Sequence, residues 1–88
     1  MQSLYSTQIK IKITEAGKNK IVQNVKNYCE NKGYTVNLID GVRAEFENVG
    51  WVLVRASQTG PDVTLRVEAN THENMEMLKE EFMKVVEM

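Results

Sequence analysis

Single copies of cysteine, histidine, proline and tryptophan leave this chain with little of the chemistry from which active sites are assembled. Cys29 cannot close an internal disulfide, which fits a reducing cytoplasm. His72 has no Cys, Asp and Glu cluster around it at metal-ligand spacing, and its place near a helix start suits an exposed cap-region residue. No apolar stretch approaches the about 18 residues that a bilayer span requires, so no membrane partner is expected. The first residues, Met-Gln-Ser-Leu-Tyr-Ser-Thr, have neither the basic nor the apolar region of a secretory signal. A net charge of −1 without any long block of like charge argues against a duplex nucleic-acid binder, which needs a basic face to neutralise phosphates. What remains is 88 residues with room for one modest core, expected to be a soluble intracellular module of one domain.

Ile9, Ile11 and Ile13 alternate with Lys10 and Lys12, so residues 8–13 read as a half-buried strand with a basic outer face. Thr14 is placed to cap a helix, with Glu15 in its first turn. Ile21, Val22, Val25, Tyr28 and Cys29 share one face, which predicts an amphipathic helix over residues 18–32, ended by Gly33. Residues 34–47 read as one strand, uncertain at its start and clear where Val42, Ala44 and Phe46 alternate with charged residues. Residues 48–50 form a short connection, and 51–55 an apolar run suited to a central strand. After the loop 56–62, Val63, Leu65, Val67 and Ala69 alternate with Thr64, Arg66 and Glu68 as a further strand. Thr71 caps a last helix whose buried stripe is Met75, Leu78, Phe82 and Val85 or Val86.

The resulting order, β-α-β-β-β-α, predicts an α+β two-layer sandwich: a four-stranded, mainly antiparallel sheet with two helices on one face. The other sheet face carries Lys10, Lys12, Arg43, Glu45, Arg66 and Glu68, either solvated or docked on something polar. Tyr28 and Trp51 read as core anchors and Cys29 as a small core residue rather than a nucleophile. Met75, Met77, Met83 and Met88 read as gap-filling core and end residues.

One stretch stands apart. Residues 55–61, Arg-Ala-Ser-Gln-Thr-Gly-Pro, leave the central strand with many small hydroxyl and amide groups. Arg55 supplies a planar fork that can grip two phosphate oxygens. Ser57 and Thr59 offer hydroxyls, and Gln58 an amide. Ala56 and Gly60 allow close approach, backbone N–H groups in such turns can form an anion nest, and Pro61 fixes the exit. On chemistry alone, a plain solvated turn is the favoured reading.

The wider pattern adds to this. Asp-Gly-Val-Arg-Ala-Glu-Phe-Glu at 40–47, Gly-Trp-Val-Leu-Val-Arg-Ala-Ser-Gln-Thr-Gly-Pro at 50–61 and Leu-Arg-Val-Glu-Ala at 65–69 together resemble the C-terminal, fourth domain of the α-D-phosphohexomutases. The branch they most resemble is the bacterial phosphomannomutase/phosphoglucomutase type. The resemblance implies a TATA-binding-protein-like α+β fold, in agreement with the element order. It also implies a four-domain parent enzyme that interconverts hexose 1- and 6-phosphates through a bisphosphorylated sugar. In that family this loop holds the phosphate that is not reacting, so Arg55, Ser57, Gln58 and Thr59 would be the contacts. Gln58 stands where Asn or Gly is usual, and Gly60 where Glu or Thr is usual, so any contact at Gly60 would come from backbone.

The family's phosphoserine motif, magnesium-binding aspartate motif and sugar-selecting loop belong to earlier domains and have no counterpart here. The resemblance therefore implies residues 1–7 as a hinge or linker remnant around Ser6-Thr7 and residues 8–88 as the C-terminal domain, inactive by itself. Mg²⁺ would be bound by another domain of the parent, and the partners would be the hexose phosphate and those other domains. The rival reading is a stand-alone interaction or regulatory module using Lys10, Lys12, Arg43 and Arg66 on its polar sheet face. A nucleic-acid role, suggested only by fold analogy, is disfavoured by the near-zero charge and an expected lack of exposed aromatics.

Overall fold

The alternating isoleucines and lysines lie in β1 (Tyr5–Lys12), which starts three residues before the alternation and pairs antiparallel with the last strand along its whole length. The computed structural model describes residues 4–38, 41–57, 60 and 62–87. Helix α1 (Glu15–Lys32) follows, and Thr14 caps it as its sequence indicates, its Oγ1 accepting from the Gly17 N–H at 3.1 Å. At the other end Gly33 adopts φ +74°. The Gly33 and Tyr34 N–H groups donate to the Glu30 and Cys29 carbonyls, the paired bonds of a Schellman motif.

The stretch 34–47 corrects the expected strand count. It folds as a hairpin of two strands, β2 (Thr35–Asn37) and β3 (Val42–Phe46), paired antiparallel with Val36 opposite Ala44. The physical reason lies at the Asp-Gly dipeptide, a strong hairpin signal: Gly41 has φ +114°, which ends one strand before the next begins. Asp40 itself falls outside the described residues. β4 (Gly50–Ala56) and β5 (Asp62–Ala69) complete an antiparallel sheet of five strands in the order β1-β5-β4-β3-β2, so the apolar run does occupy the centre. Helix α2 (His72–Val86) is capped by Thr71, whose Oγ1 accepts from the Asn74 N–H at 3.0 Å.

Both helices cover one sheet face, giving the expected α+β two-layer arrangement. Period-two alternation aims Val42, Ala44, Val52, Val54, Val63, Leu65, Val67 and Ala69 at the helices, all essentially without solvent contact. Ile21, Val25 and Cys29 from α1 meet them, as do Met75, Leu78, Phe82, Val85 and Val86 from α2. Cys29 is a buried core thiol, and burial, with the Glu81 charge second, pushes its pKa up to about 11.

Two aromatic expectations need correction. Trp51 alternates with Val52 onto the sheet face away from the helices, where guanidiniums rather than core atoms pack on it. Tyr5 is 43% exposed, so exposed aromatics are not lacking. Strand parity sent Trp51 outward, whereas Tyr5 shares the helix-side parity of Ile9 and Ile11 and is exposed at the start of the edge strand β1.

Candidate functional site

The loop at 57–61 connects neighbouring antiparallel strands, and the Ser57 N–H closes it on the Asp62 carbonyl at 2.9 Å. Sheet register then decides which outer-face side chains stand beside it. Arg55 lies opposite Thr64, and Thr64 lies opposite Lys10, forming one row across β4, β5 and β1. The next row holds Leu53, Arg66 and Gln8. Together these rows and the loop ends Ser57 and Gly60 enclose an open cavity of about 650 Å³. Among the described residues, Lys10, Arg55 and Arg66 line it with a single carboxylate, that of Asp62. Among the described residues no carboxylate lies in ion-pair range of Arg55 or Arg66. A concave surface with excess positive charge and hydroxyl donors is suited to an anion.

Gly41 packs closely on the backbone at Val54 and Arg55. A Cβ on Gly41 would come within 2.5 Å of the Val54 carbonyl oxygen and 3.1 Å of the Arg55 Cα, so only glycine allows this approach. Arg66 is steadied sideways, with its guanidinium carbon 5.6 Å from the centroid of the Trp51 ring and that of Arg43 4.5 Å away. The structure thus removes the expected separation between a loop site and a sheet-face site, because Lys10 and Arg66 line the same cavity as Arg55. Of the four residues expected to grip phosphate, Arg55 and Ser57 are brought together here. Gln58 and Thr59 lie outside the described residues, as does Pro61.

Lys18 was not singled out by the sequence reading. It is 6% exposed, and its Nζ donates to the Ser57 carbonyl at 2.8 Å and the Gly60 carbonyl at 3.1 Å, with Glu15 Oε2 at 3.1 Å. The signal was present in the helix pattern: Lys18 extends the Ile21, Val25 and Cys29 stripe by one turn, so a lysine stood where a core residue belonged.

The other polar features are of different kinds. Tyr28 and Tyr34 both donate to Glu81 Oε2 at 2.7 Å, and this bond to a carboxylate, with burial second, holds both phenols above their ordinary pKa. A groove of about 600 Å³ along α2 is lined by Glu73, Glu76, Glu80 and Glu81 against Lys84, the wrong sign for an anion. His72 is exposed in the first turn of α2, 3.7 Å from Glu76. Among the described residues no three His, Cys, Asp or Glu side chains converge to hold a metal ion, and no helix is long and apolar enough to cross a membrane.

The family model for the phosphoglucomutase/phosphomannomutase C-terminal domain matches residues 9–85. A phosphomannomutase/phosphoglucomutase of Pseudomonas aeruginosa is 37% identical over 75 residues, covering 85% of this chain and 16% of that protein. A phosphoglucomutase of Neisseria meningitidis is 34% identical over 88 residues, covering 98% of this chain and 19% of that protein. The crystal structure of a phosphoglucomutase/phosphomannomutase family protein from Burkholderia thailandensis superposes with a TM-score of 0.74 at 26% identity, covering 96% of this chain and 17% of that one. The chain therefore spans less than a fifth of the length of these relatives. Sequence match and two-layer fold agree, and the chain belongs to the phosphoglucomutase/phosphomannomutase family, matching its C-terminal domain.

Proposed function

We propose that this domain holds the non-reacting phosphate of a hexose phosphate, through Arg55, Ser57, Gln58 and Thr59, within a phosphohexomutase that is an isomerase acting by intramolecular phosphoryl transfer. The observation that carries the reading is the cavity that Arg55, Lys10 and Arg66 line beside Ser57, with Asp62 the one carboxylate among its described residues. A guanidinium grips two oxygens of a phosphate with charge-assisted bonds, and hydroxyls complete the set. Such a site reads phosphate and little else, which suits a substrate that must present its 1- and 6-phosphates in turn. Phosphoryl transfer depends on positioning and charge stabilisation, so a remote anchor contributes by fixing the sugar against a distant reacting centre.

The chemistry itself belongs to other domains of the parent, which are this domain's partners. The hinge expected over residues 1–7 does not extend through Tyr5, Ser6 and Thr7, which pair with Ala69, Glu68 and Val67 in β1, so closure of the cleft, which excludes water, would pivot on chain ahead of that strand. Mg²⁺, expected in the parent, finds no donor set among the described residues, and no step is assigned to it here. The domain alone is inactive, and a cytoplasmic setting fits its lone buried thiol.

Bonds to charged groups net about 1.5–3 kcal/mol each, and association costs ~4 kcal/mol or more, so the chain alone binds at millimolar strength or weaker. A titration of the ¹⁵N-labelled chain with glucose 1-phosphate tests this. Shifts centred on Arg55, Ser57 and Gly60, lost in Arg55→Ala, are the expected result. Shifts elsewhere, or none up to tens of millimolar, refute it. The rival interaction module is favoured by the exposed Arg43–Trp51 stack, and a binding partner that perturbs Arg43 and Lys12 while sparing the loop would support it.

A further inference from the structure

We propose that Lys18 is a positioning residue for the phosphate loop, acting from the helix side without touching the ligand. The proposal rests on the phosphate-anchor reading above. Lys18 lies outside the cavity lining, yet the residue is only 6% exposed and its ammonium donates to a carbonyl near each end of the loop, Ser57 at 2.8 Å and Gly60 at 3.1 Å. The consequence is electrostatic as well as mechanical. Peptide carbonyls carry the negative end of the backbone dipole, and two of them free to turn into an anion site would repel phosphate. Lys18 holds both toward α1 and compensates their charge.

The same bonds define the loop's width. The Ser57 N–H to Asp62 carbonyl bond closes its neck, and the ammonium bridges across it from Ser57 to Gly60. A loop prepared in advance loses less freedom when the ligand arrives, so the gain appears as affinity. Gly60 fits this arrangement. The nearest atoms to a Cβ there would be Asp62 Oδ2 at 3.4 Å and Ser57 Oγ at 3.9 Å, so space does not demand a glycine, and the residue's contribution is its carbonyl. Glu15, whose side chain is 79% exposed, adds a solvent-screened partner from the first helical turn.

The test uses the ¹⁵N-labelled 88-residue chain, titrated with glucose 1-phosphate and with inorganic phosphate, alongside urea unfolding. Lys18→Met is expected to raise the dissociation constant for both about tenfold, equivalent to about 1.4 kcal/mol. Lys18→Arg, which can still donate to two carbonyls, is expected to restore most of the affinity. A purely structural lysine would lower the urea midpoint of Lys18→Met yet leave the affinity of its folded fraction unchanged, and that result overturns the proposal. If Lys18→Met does not fold, Lys18→Gln replaces it, with weakened binding expected and unchanged binding overturning. Loop shifts absent in the unsubstituted chain would overturn the phosphate-anchor reading and this inference together. Normal shifts there with unaffected variants would overturn this inference alone.

Discussion

Helix α1 has a polar cluster near each end, and the two are built on opposite plans. Near its C-terminus Tyr28 and Tyr34 both donate to Glu81, so every donor is matched within the chain and the rings close over Phe46 and Phe82 at centroid distances of 4.8–6.2 Å. Near its N-terminus Lys18 is equally occupied, but it serves backbone carbonyls of a loop whose far side faces a cavity with surplus cations. The first cluster is complete as a piece of folding. The second is a folded support for three cations that one described carboxylate, Asp62, does not balance. Both ends are buried polar arrangements, so burial alone does not distinguish a structural network from a binding one. The distinguishing feature is whether the donors find acceptors within the chain.

The largest expected effect breaks the closed end. Phe82 is fully buried and touches both the Tyr28 and Phe46 rings. Phe82→Ala should cost about 3–5 kcal/mol of stability, read as a drop in the urea midpoint. For a domain this small, that is most of what holds it folded. At the open end the comparable break is Gly41→Ala. A φ of +114° and the Val54 carbonyl both oppose a side chain there. A cost of about 2–3 kcal/mol is expected, with the Arg55 amide resonance displaced and glucose 1-phosphate binding weakened. A variant with the unsubstituted stability would show that the turn does not need glycine.

Glu81→Gln sharpens the contrast through pH. The two phenols sit above their ordinary value of 10.0 because their bond to the carboxylate favours the protonated form, so above pH 10 the native chain holds more protons than the unfolded one. Their contribution to stability is therefore intact below pH 10 and declines as pH rises beyond it. Cys29, raised from 9.0 to about 11, adds a loss of its own that sets in earlier, as pH rises through 9. With a neutral amide in place of Glu81, the phenol values fall back toward 10.0 and the alkaline decline becomes shallower. At neutral pH the variant should lose about 1–2 kcal/mol, the lower part of the range for bonds to a charged group. Urea midpoints from neutral to alkaline pH, with tyrosinate absorbance, measure both. Phosphate binding at the other end should not change.

The caps, both helices and the central strand were legible because each has a local cause: Thr14, Gly33, Thr71 and the apolar stripes. The hairpin of β2 and β3 was obscured because the Asp-Gly signal fell inside an otherwise strand-like stretch, and β2 is only three residues long. Half of the site was legible for the same local reason, as Arg55 and Ser57 occur together in one motif. Lys10 and Arg66 joined it through cross-strand register, which pairs residues 54 positions apart and leaves no mark in either segment. Lys18 needed a bond across 39 residues, although its place in an apolar stripe was a local warning. Trp51 was misplaced because size suggested the core while strand parity sent it outward.

That outward tryptophan gives the smallest expected effect and the finest cut between the two plans. The Trp51 ring lies between the Arg43 and Arg66 guanidiniums, at 4.5 and 5.6 Å, and only Arg66 of the two lines the cavity. Exposed cation–π contacts contribute about 0.5–1 kcal/mol, so Trp51→Leu should lower the urea midpoint only slightly. Arg66 would then sample more rotamers before meeting phosphate, and ordering it on binding would cost affinity. A two- to threefold weakening, roughly 0.4–0.7 kcal/mol, is expected for glucose 1-phosphate. Arg43→Gln removes the other guanidinium from the same ring but leaves Arg66 against it, so phosphate affinity should hold. If both variants weaken binding equally, the stack acts as a general positive surface rather than a brace for Arg66. If neither does, the indole belongs with the closed, self-sufficient part of the molecule despite facing away from its core.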